Sequence, residues 1–358
     1  MYKRILVINP FGIGDVLFTT PLVRALEENY PHCFIGYWCN ERVKTILEDN
    51  KNIDRIFALS RGDLKKIFAR SWLEGISSAL KLFFEIKGCK FDAAFDFSLD
   101  HRYGLVAKLA GIKTRIGYNY KGRGRFLTDR IGLDGYHAKH VVDYYSALLR
   151  FAGVAQKSGN LDLFVSPDNL KKAEDLLRVR GARKGDLLIG IAPGAGGSWG
   201  REAAYKHWPA LKFAQVAEKL AKEYGAKVLI LGDESEREIA EVVSTATGHK
   251  PIDLTGKTSL EVLPGVIKNL KLLICNDGGP LHMAVALGVE TVSIFGPVDE
   301  AVYGPYPPSP DHKVLKWDIS CRPCYNNFRL PPCEKDKECL KSISVEQVMS
   351  AVKEVLSR

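Results

Sequence analysis

Three short stretches of this 358-residue chain carry side chains that could do chemistry. In the first, Gly12-Ile13-Gly14-Asp15, a carboxylate stands between an apolar run and a helical one, with Thr19, Thr20 and Pro21 one turn on. A carboxylate within hydrogen-bond reach of a hydroxyl can take its proton as that hydroxyl attacks, which is general-base catalysis. Capping a helix is an equally ordinary use of Asp at such a place. A helix N-terminus also favours the ionised form and so weakens the base. The glycines do not make the dinucleotide fingerprint: the third would fall at Leu17, and a carboxylate occupies the helix start that pyrophosphate needs. This argues against a nicotinamide enzyme.

The second stretch is Asp277-Gly278-Gly279-Pro280-Leu281-His282. Two glycines strip side chains from a helix N-terminus and leave backbone N–H groups to hold phosphate, so the pattern reads as a diphosphate site. Asp277 would repel phosphate and is better matched to sugar hydroxyls or an acceptor. His282, in the first helical turn, can bond a phosphate or a hydroxyl. The third stretch, Pro193-Gly194-Ala195-Gly196-Gly197, runs through Trp199 to Lys206-His207-Trp208-Pro209. Lys206, at the far end of a pliable loop, can stabilise negative charge building on a departing diphosphate, a task some transferases give to a metal. A solvated surface lysine is the plain alternative. Gly256-Lys257-Thr258 imitates the end of a nucleotide-binding P-loop, but the required first glycine falls at Pro251.

The elements around these stretches alternate. Short apolar, β-branched runs are followed by longer amphipathic ones, the pattern of strands feeding helices in a parallel sheet. One set of expected strands covers residues 4–9, 33–38, 54–58, 93–97 and 115–118; a second covers 187–192, 227–231, 252–254, 272–275 and 291–295. The polar stretch 156–162, before Pro167, reads as a linker, giving a first domain over 1–160 and a second over 161–343. In open parallel sheets ligands bind beyond the carboxyl ends of the strands, and all three stretches directly follow expected strands. The segment 63–87, whose apolar side is Trp72, Leu73, Ile76, Leu80, Phe83 and Phe84, is expected to form a core-facing helix, a membrane-surface helix being the alternative.

Composition sets the frame. With 46% hydrophobic and 26% charged residues the chain reads as globular, and 358 residues suffice for two buried cores. The apolar start is interrupted by Pro10 and Asp15, too early for a signal peptide, and no run reaches the roughly 18 apolar residues of a span, so a cytoplasmic protein is expected, with at most peripheral membrane contact. The net charge of +9 suits anionic company. There is no basic run with interleaved aromatics and no nucleic-acid-binding signature, so small phosphorylated molecules or anionic lipid fit better than nucleic acid.

The order GIGDVLFTTP, PGA followed by KHWP, DLTGKTSL, NDGGPLHMAVALG and FGPVD with a later YGP resembles the ADP-heptose:lipopolysaccharide heptosyltransferases of glycosyltransferase family 9, over nearly the whole chain. The resemblance implies a GT-B architecture, α/β, with two Rossmann-like domains facing across a cleft. It implies an acceptor held mainly by the N-terminal half, a nucleotide-sugar donor held by the C-terminal half, and a last helix, 344–358, that often packs back on the first domain. It also implies inverting transfer of heptose to a lipopolysaccharide core glycolipid with no required metal cofactor.

Carried over by motif, Asp15 matches the general base and Lys206 the lysine on the donor phosphates. Asp277, Gly279 and His282 match the donor cluster, and Gly14, Thr19, Pro193, Gly194, Gly256, Gly278 and Pro280 complete the expected donor set. The family commonly has Ser where Gly278 stands and a shorter spacing from PGA to the lysine, so a donor loop that closes differently is expected here. For the acceptor, His101, Arg102 and the basic run 121–125 are candidates, as is a plain solvated basic face. Other readings are a family 9 transferase with another nucleotide sugar or glycan, a GT-B-shaped epimerase, and a non-catalytic binder.

Four of the eight cysteines, Cys321, Cys324, Cys333 and Cys339, crowd the C-terminal end. The Cys-x-x-Cys pair suits a tetrahedral zinc knuckle, but the later spacing is irregular. A cytoplasmic setting argues against stable disulfides, leaving structural zinc, a redox-labile pair or plain thiols. Zinc would show as about one equivalent per chain in protein purified without chelator, whereas less than about half an equivalent leaves thiols.

Overall fold

A computed structural model describes residues 2–157 and 159–358. The chain divides into two compact units, Met1–Phe164 and Val165–Arg358. The first closes a few residues later than the linker suggested. Leu161 and Leu163 are buried, and Asp162 is tied to the first unit by its backbone N–H, which donates to Thr20 Oγ1 at 2.8 Å, and by its ion pair with Arg24.

The first unit holds a parallel sheet of six strands: β1 (Arg4–Ile8), β2 (Phe34–Cys39), β3 (Arg55–Ala58), β4 (Ala93–Asp96), β5 (Thr114–Tyr120) and β6 (Asp129–Leu133), in the order β3-β2-β1-β4-β5-β6. The second repeats the plan with β7 (Leu188–Ala192), β8 (Lys227–Ile230), β9 (Ile252–Asp253), β10 (Leu272–Asn276), β11 (Glu290–Phe295) and β12 (His312–Lys316), in the order β12-β11-β10-β7-β8-β9. Numbered within its own unit, each sheet has the doubly wound Rossmann order, with its topological switch point between the unit's first and fourth strands. This is the pair of Rossmann-like units that defines GT-B. The central strands are apolar and buried over residues 5–8 of β1 and 272–275 of β10 because helices cover both faces of such a sheet.

The strands expected from sequence all form, with ends shifted by a residue or two. The two that sequence missed, β6 and β12, are the outer strands β5 and β11 lean on. They bury little, and their residues are largely exposed or half-buried.

Two expectations are corrected. The segment 63–87 is two helices, Arg61–Arg70 and Trp72–Gly88, with Ser71 capping the second through Glu74 N–H at 3.3 Å. Gly75, Leu82 and Ile86 make its buried face, while Trp72, Leu73, Ile76, Leu80 and Phe84 are exposed. The terminal helix Val345–Leu356 spends its apolar side in the second unit's own core, where Val345, Val348, Val352 and Val355 join Ile189, Phe213 and Ile294. Among the described residues no helix is long and apolar enough to cross a membrane.

The end of β4 contains a buried carboxylate. Asp96 is 6% exposed and accepts a hydrogen bond from Ser98 N–H at 2.9 Å; burial pushes its pKa up to about 6. A raised carboxyl favours the fold in its protonated form, so this contribution is full below the ordinary Asp pKa near 4 and is lost as pH rises through about 6. Asp96→Asn is expected to remove on the order of 2–3 kcal/mol of the first unit's extra stability at pH 4 over pH 7, read from urea unfolding at the two pH values. Val352→Ala, by opening a cavity under the terminal helix, is expected to cost the second unit about 2 kcal/mol in the same measurement.

Candidate functional site

In the first unit β1 and β4 run side by side, Ile8 opposite Asp96, so the residues after each strand meet at the switch point. After β1 the chain turns at Gly12 into the helix Ile13–Phe18. Asp15 sits half-buried in its first turn, where the carboxylate accepts from Gly12 N–H at 3.2 Å and Asn9 Nδ2 donates to the Asp15 carbonyl at 2.9 Å. Asp15 therefore caps the helix as well as being presented at a strand end, and Asn9 fixes the turn that carries it. Gly14 lies in the same turn, half-buried. Thr19 is placed differently from a ligand contact. It is fully buried, its hydroxyl donates to the Val16 carbonyl at 2.7 Å, and Tyr37 Oη lies 2.5 Å away. This residue serves the core.

After β4, Asp100 caps the helix His101–Leu109 and gathers two arginines and a histidine. Arg102 Nη1 lies 3.2 Å, Arg61 Nη1 3.7 Å and His101 Nδ1 3.7 Å from its carboxylate oxygens. His101 and Arg102 thus stand at the same switch point as Asp15. Arg61, which sequence reading missed, joins them from another helix, and its backbone N–H donates to Tyr103 Oη at 3.0 Å. Nothing in the sequence near Arg61 signals this.

The second unit builds the denser cluster. β7 and β10 are paired, Ala192 opposite Cys275, so the Pro193-Gly194 loop and the Asp277-Gly278-Gly279 turn emerge together. Asn276 joins them: its amide Nδ2 donates to the carbonyls of Pro193 at 2.7 Å and Gly194 at 3.2 Å, while its Oδ1 accepts from Trp208 N–H at 3.1 Å. One fully buried side chain thereby ties both loops and the start of the His207-Trp208 segment. Sequence reading assigned it no role, although it stands inside the motif.

Close packing explains two glycines. A Cβ at Gly278 would meet the Ala195 carbonyl oxygen at 3.1 Å, and one at Gly194 would fall 1.8 Å from Glu236 Oε1. Glu236 in turn accepts from Gly196 N–H at 2.8 Å, and burial raises its pKa. Gly256 adopts a left-handed φ of +67° and donates its N–H to the Gly232 carbonyl at 2.9 Å, at the neighbouring β8–β9 end of the sheet.

Lys206 is not a surface lysine. It is 5% exposed, its Nζ lies 2.6 Å from Asp277 Oδ2 and 4.1 Å from the centre of the Trp199 ring, and His282 Nε2 stands 4.0 Å from the other Asp277 oxygen. Gly278 caps the helix Gly279–Ala286, with Pro280 in its first turn, so Asp277 directly precedes that helix N-terminus and His282 lies within the helix. A buried ammonium, a carboxylate, an imidazole and a helix N-terminus together suit an anion carrying hydroxyls, which is the chemistry of a nucleotide sugar.

Trp199 also stacks on Tyr325, 4.5 Å between ring centres, which brings the cysteine-rich tail against the platform under Lys206. Cys321 and Cys333 are exposed, and Cys324 and Cys339 half-buried. Burial first, then the neighbouring thiols, pushes Cys339 up to about 11. Among the described residues no three His, Cys, Asp or Glu side chains stand in position to hold a metal.

Comparison with known proteins gives this arrangement its context. The family model for glycosyltransferase family 9 (heptosyltransferase) matches residues 79–330. Lipopolysaccharide heptosyltransferase 3 of Escherichia coli K12 is 24% identical over 96% of this chain and 95% of its own length. A solved glycosyl transferase family 9 structure from Veillonella parvula superposes with a TM-score of 0.83 at 28% identity, covering 99% of this chain and 98% of that one. The E. coli ADP-heptose lipopolysaccharide heptosyltransferase II superposes with a TM-score of 0.77 at 22% identity, covering 99% and 98%. The motifs at both switch points and a family match over most of the sequence agree: this chain belongs to glycosyltransferase family 9, the heptosyltransferase family.

Proposed function

We propose that the chain is an inverting heptosyltransferase that moves heptose from ADP-heptose to a lipopolysaccharide core glycolipid, acting in the cytoplasm on an acceptor at the membrane surface. The observation that carries the donor half of this reading is the buried Lys206–Asp277 pair beside the Gly278-Gly279 turn. The names of the relatives, which are heptosyltransferases of lipopolysaccharide, support the sugar and the acceptor.

In this reading the acceptor hydroxyl attacks the anomeric carbon from the face opposite the diphosphate. The new C–O bond forms as the bond to the β-phosphate oxygen breaks, the electron pair leaves with ADP, and the hydroxyl proton passes to the Asp15 carboxylate. Lys206 and the N–H groups of the Gly279 turn take the charge that develops on ADP, so the reaction is assigned no metal cofactor. Asp277 holds Lys206 before the donor arrives and then meets sugar hydroxyls, and His282 bonds the donor beside it. His101, Arg102 and Arg61 meet phosphates or carboxylates of the acceptor. The tail cysteines have a structural part, steadying Tyr325 under Trp199.

Asp15→Asn separates the two roles of that residue, since an amide oxygen can still accept from Gly12 N–H but cannot take a proton. Turnover is expected to fall about 10²–10⁴-fold with ADP affinity, measured by calorimetry, within a few-fold of the parent; turnover near the parent value would place the base elsewhere. Lys206→Met combined with Asp277→Asn avoids stranding a buried charge. It is expected to lower turnover about 10²–10³-fold and weaken ADP. Titration with ADP-heptose, ADP and UDP-sugars tests the donor, and preference for a UDP-sugar would overturn the heptose assignment. Consumption of donor without any acceptor would indicate epimerase chemistry.

A further inference from the structure

Among the described residues, six of the thirteen large apolar side chains that remain exposed lie between 68 and 84, a concentration that scattered surface residues do not produce. Trp72 is 65% and Phe84 61% exposed. On the helix Trp72–Gly88, Trp72, Ile76, Leu80 and Phe84 recur every fourth residue and form a stripe beside the buried face of Gly75, Leu82 and Ile86. The apolar arc of this helix is wider than the core it covers. Gly75 lets the preceding helix approach closely, since a Cβ there would fall 2.4 Å from the Phe68 ring, and that ring extends the stripe onto the helix Arg61–Arg70.

The charge around the stripe says what covers it. Residues 61–88 carry six basic and three acidic side chains. The acids are engaged locally: Asp63 accepts from Ser60 N–H, Glu74 pairs with Arg70, and Glu85 with Arg55. Lys65, Lys66, Lys81 and Lys87 are exposed. A second copy of this chain, docking face to face, would set these cations against one another. A surface of anionic lipid headgroups over hydrocarbon satisfies both the cations and the apolar stripe. The pair also begins at the acceptor-side cluster, because Arg61, its first residue, lies 3.7 Å from the Asp100 that holds His101 and Arg102.

We propose that the helix pair Arg61–Arg70 and Trp72–Gly88 is a membrane-docking surface that seats Trp72, Leu73, Leu80 and Phe84 in an anionic bilayer. Its lysines lie on lipid phosphates, and the Arg61 end is left beside the acceptor site. Only this last placement rests on the glycolipid reading; the docking itself needs neither donor nor acceptor.

The test is co-sedimentation of the full chain with vesicles of phosphatidylcholine alone and with added phosphatidylglycerol. Binding is expected to be about tenfold or more stronger to the anionic vesicles and to fall in high salt. The variant Trp72→Ser/Leu80→Ser/Phe84→Ser, all at exposed positions, is expected to lose about tenfold or more of that binding while retaining ADP release with a water-soluble acceptor. Lys65→Gln/Lys66→Gln/Lys81→Gln is expected to bind both vesicle types alike. Absence of anionic-vesicle binding by the parent, or undiminished binding by the serine variant, would overturn the proposal. So would a parent dimer that the serine variant converts to monomer without any vesicle binding, which would assign the face to a second copy. Each of these results leaves the heptosyl reading standing, because donor titration is measured without vesicles.

Discussion

The second unit is organised around one buried ion pair. Removing an ammonium and a carboxylate from water costs several kcal/mol each, and Lys206 and Asp277 offset this only by lying 2.6 Å apart with Trp199 against the ammonium. That requirement fixes the end of β10, where Asp277 stands, relative to the loop after β7, which must bring Lys206 back over it. The Asn276 amide enforces the same closure through the backbone by holding the Pro193 and Gly194 carbonyls. Lys206 is thereby held dehydrated and oriented by groups of its own unit.

Both units use the same strand order but different chemistry at the same place. The switch point of the first presents Asp15 and the Asp100 cation cluster, a carboxylate and positive charge with partial exposure. That of the second presents glycine turns and a buried lysine. The fold thus supplies a crevice at the strand ends of each unit, one lined by a carboxylate and positive charge and the other by glycine turns and a buried lysine.

The helix Trp72–Gly88 shows why periodicity alone misassigns a face. A helix whose apolar residues cover half its circumference has the same signature whether the core takes all of that arc or part of it. Here the core takes Leu82, Ile86 and Gly75, and the remaining apolar residues, flanked by lysines, face outward. The terminal helix is the converse. Its valines are narrow enough in arc to be absorbed completely by the sheet and helices of the second unit.

Local chain chemistry determined much of this protein. Alternation of apolar strands and amphipathic helices, glycines where loops must turn sharply, and an acid or a histidine after particular strands were legible because each is encoded within a few neighbouring residues. These sufficed for the fold class and for marking Asp15, Asp277, Gly278, Gly279 and His282 as candidates at strand ends. Tertiary structure alone decided what depends on partners distant in sequence. It buried Lys206 against Asp277, turned Thr19 into a core hydrogen bond with Tyr37, brought Arg61 to His101 and Arg102, and gave Asn276 its bridging task. The edge strands β6 and β12 belong to the same group, since a strand that buries little leaves a weak apolar pattern and exists because the sheet offers it an unpaired neighbour. Burial, pairing and which side of a helix meets water are properties of the assembled chain, and no window of local sequence contains them.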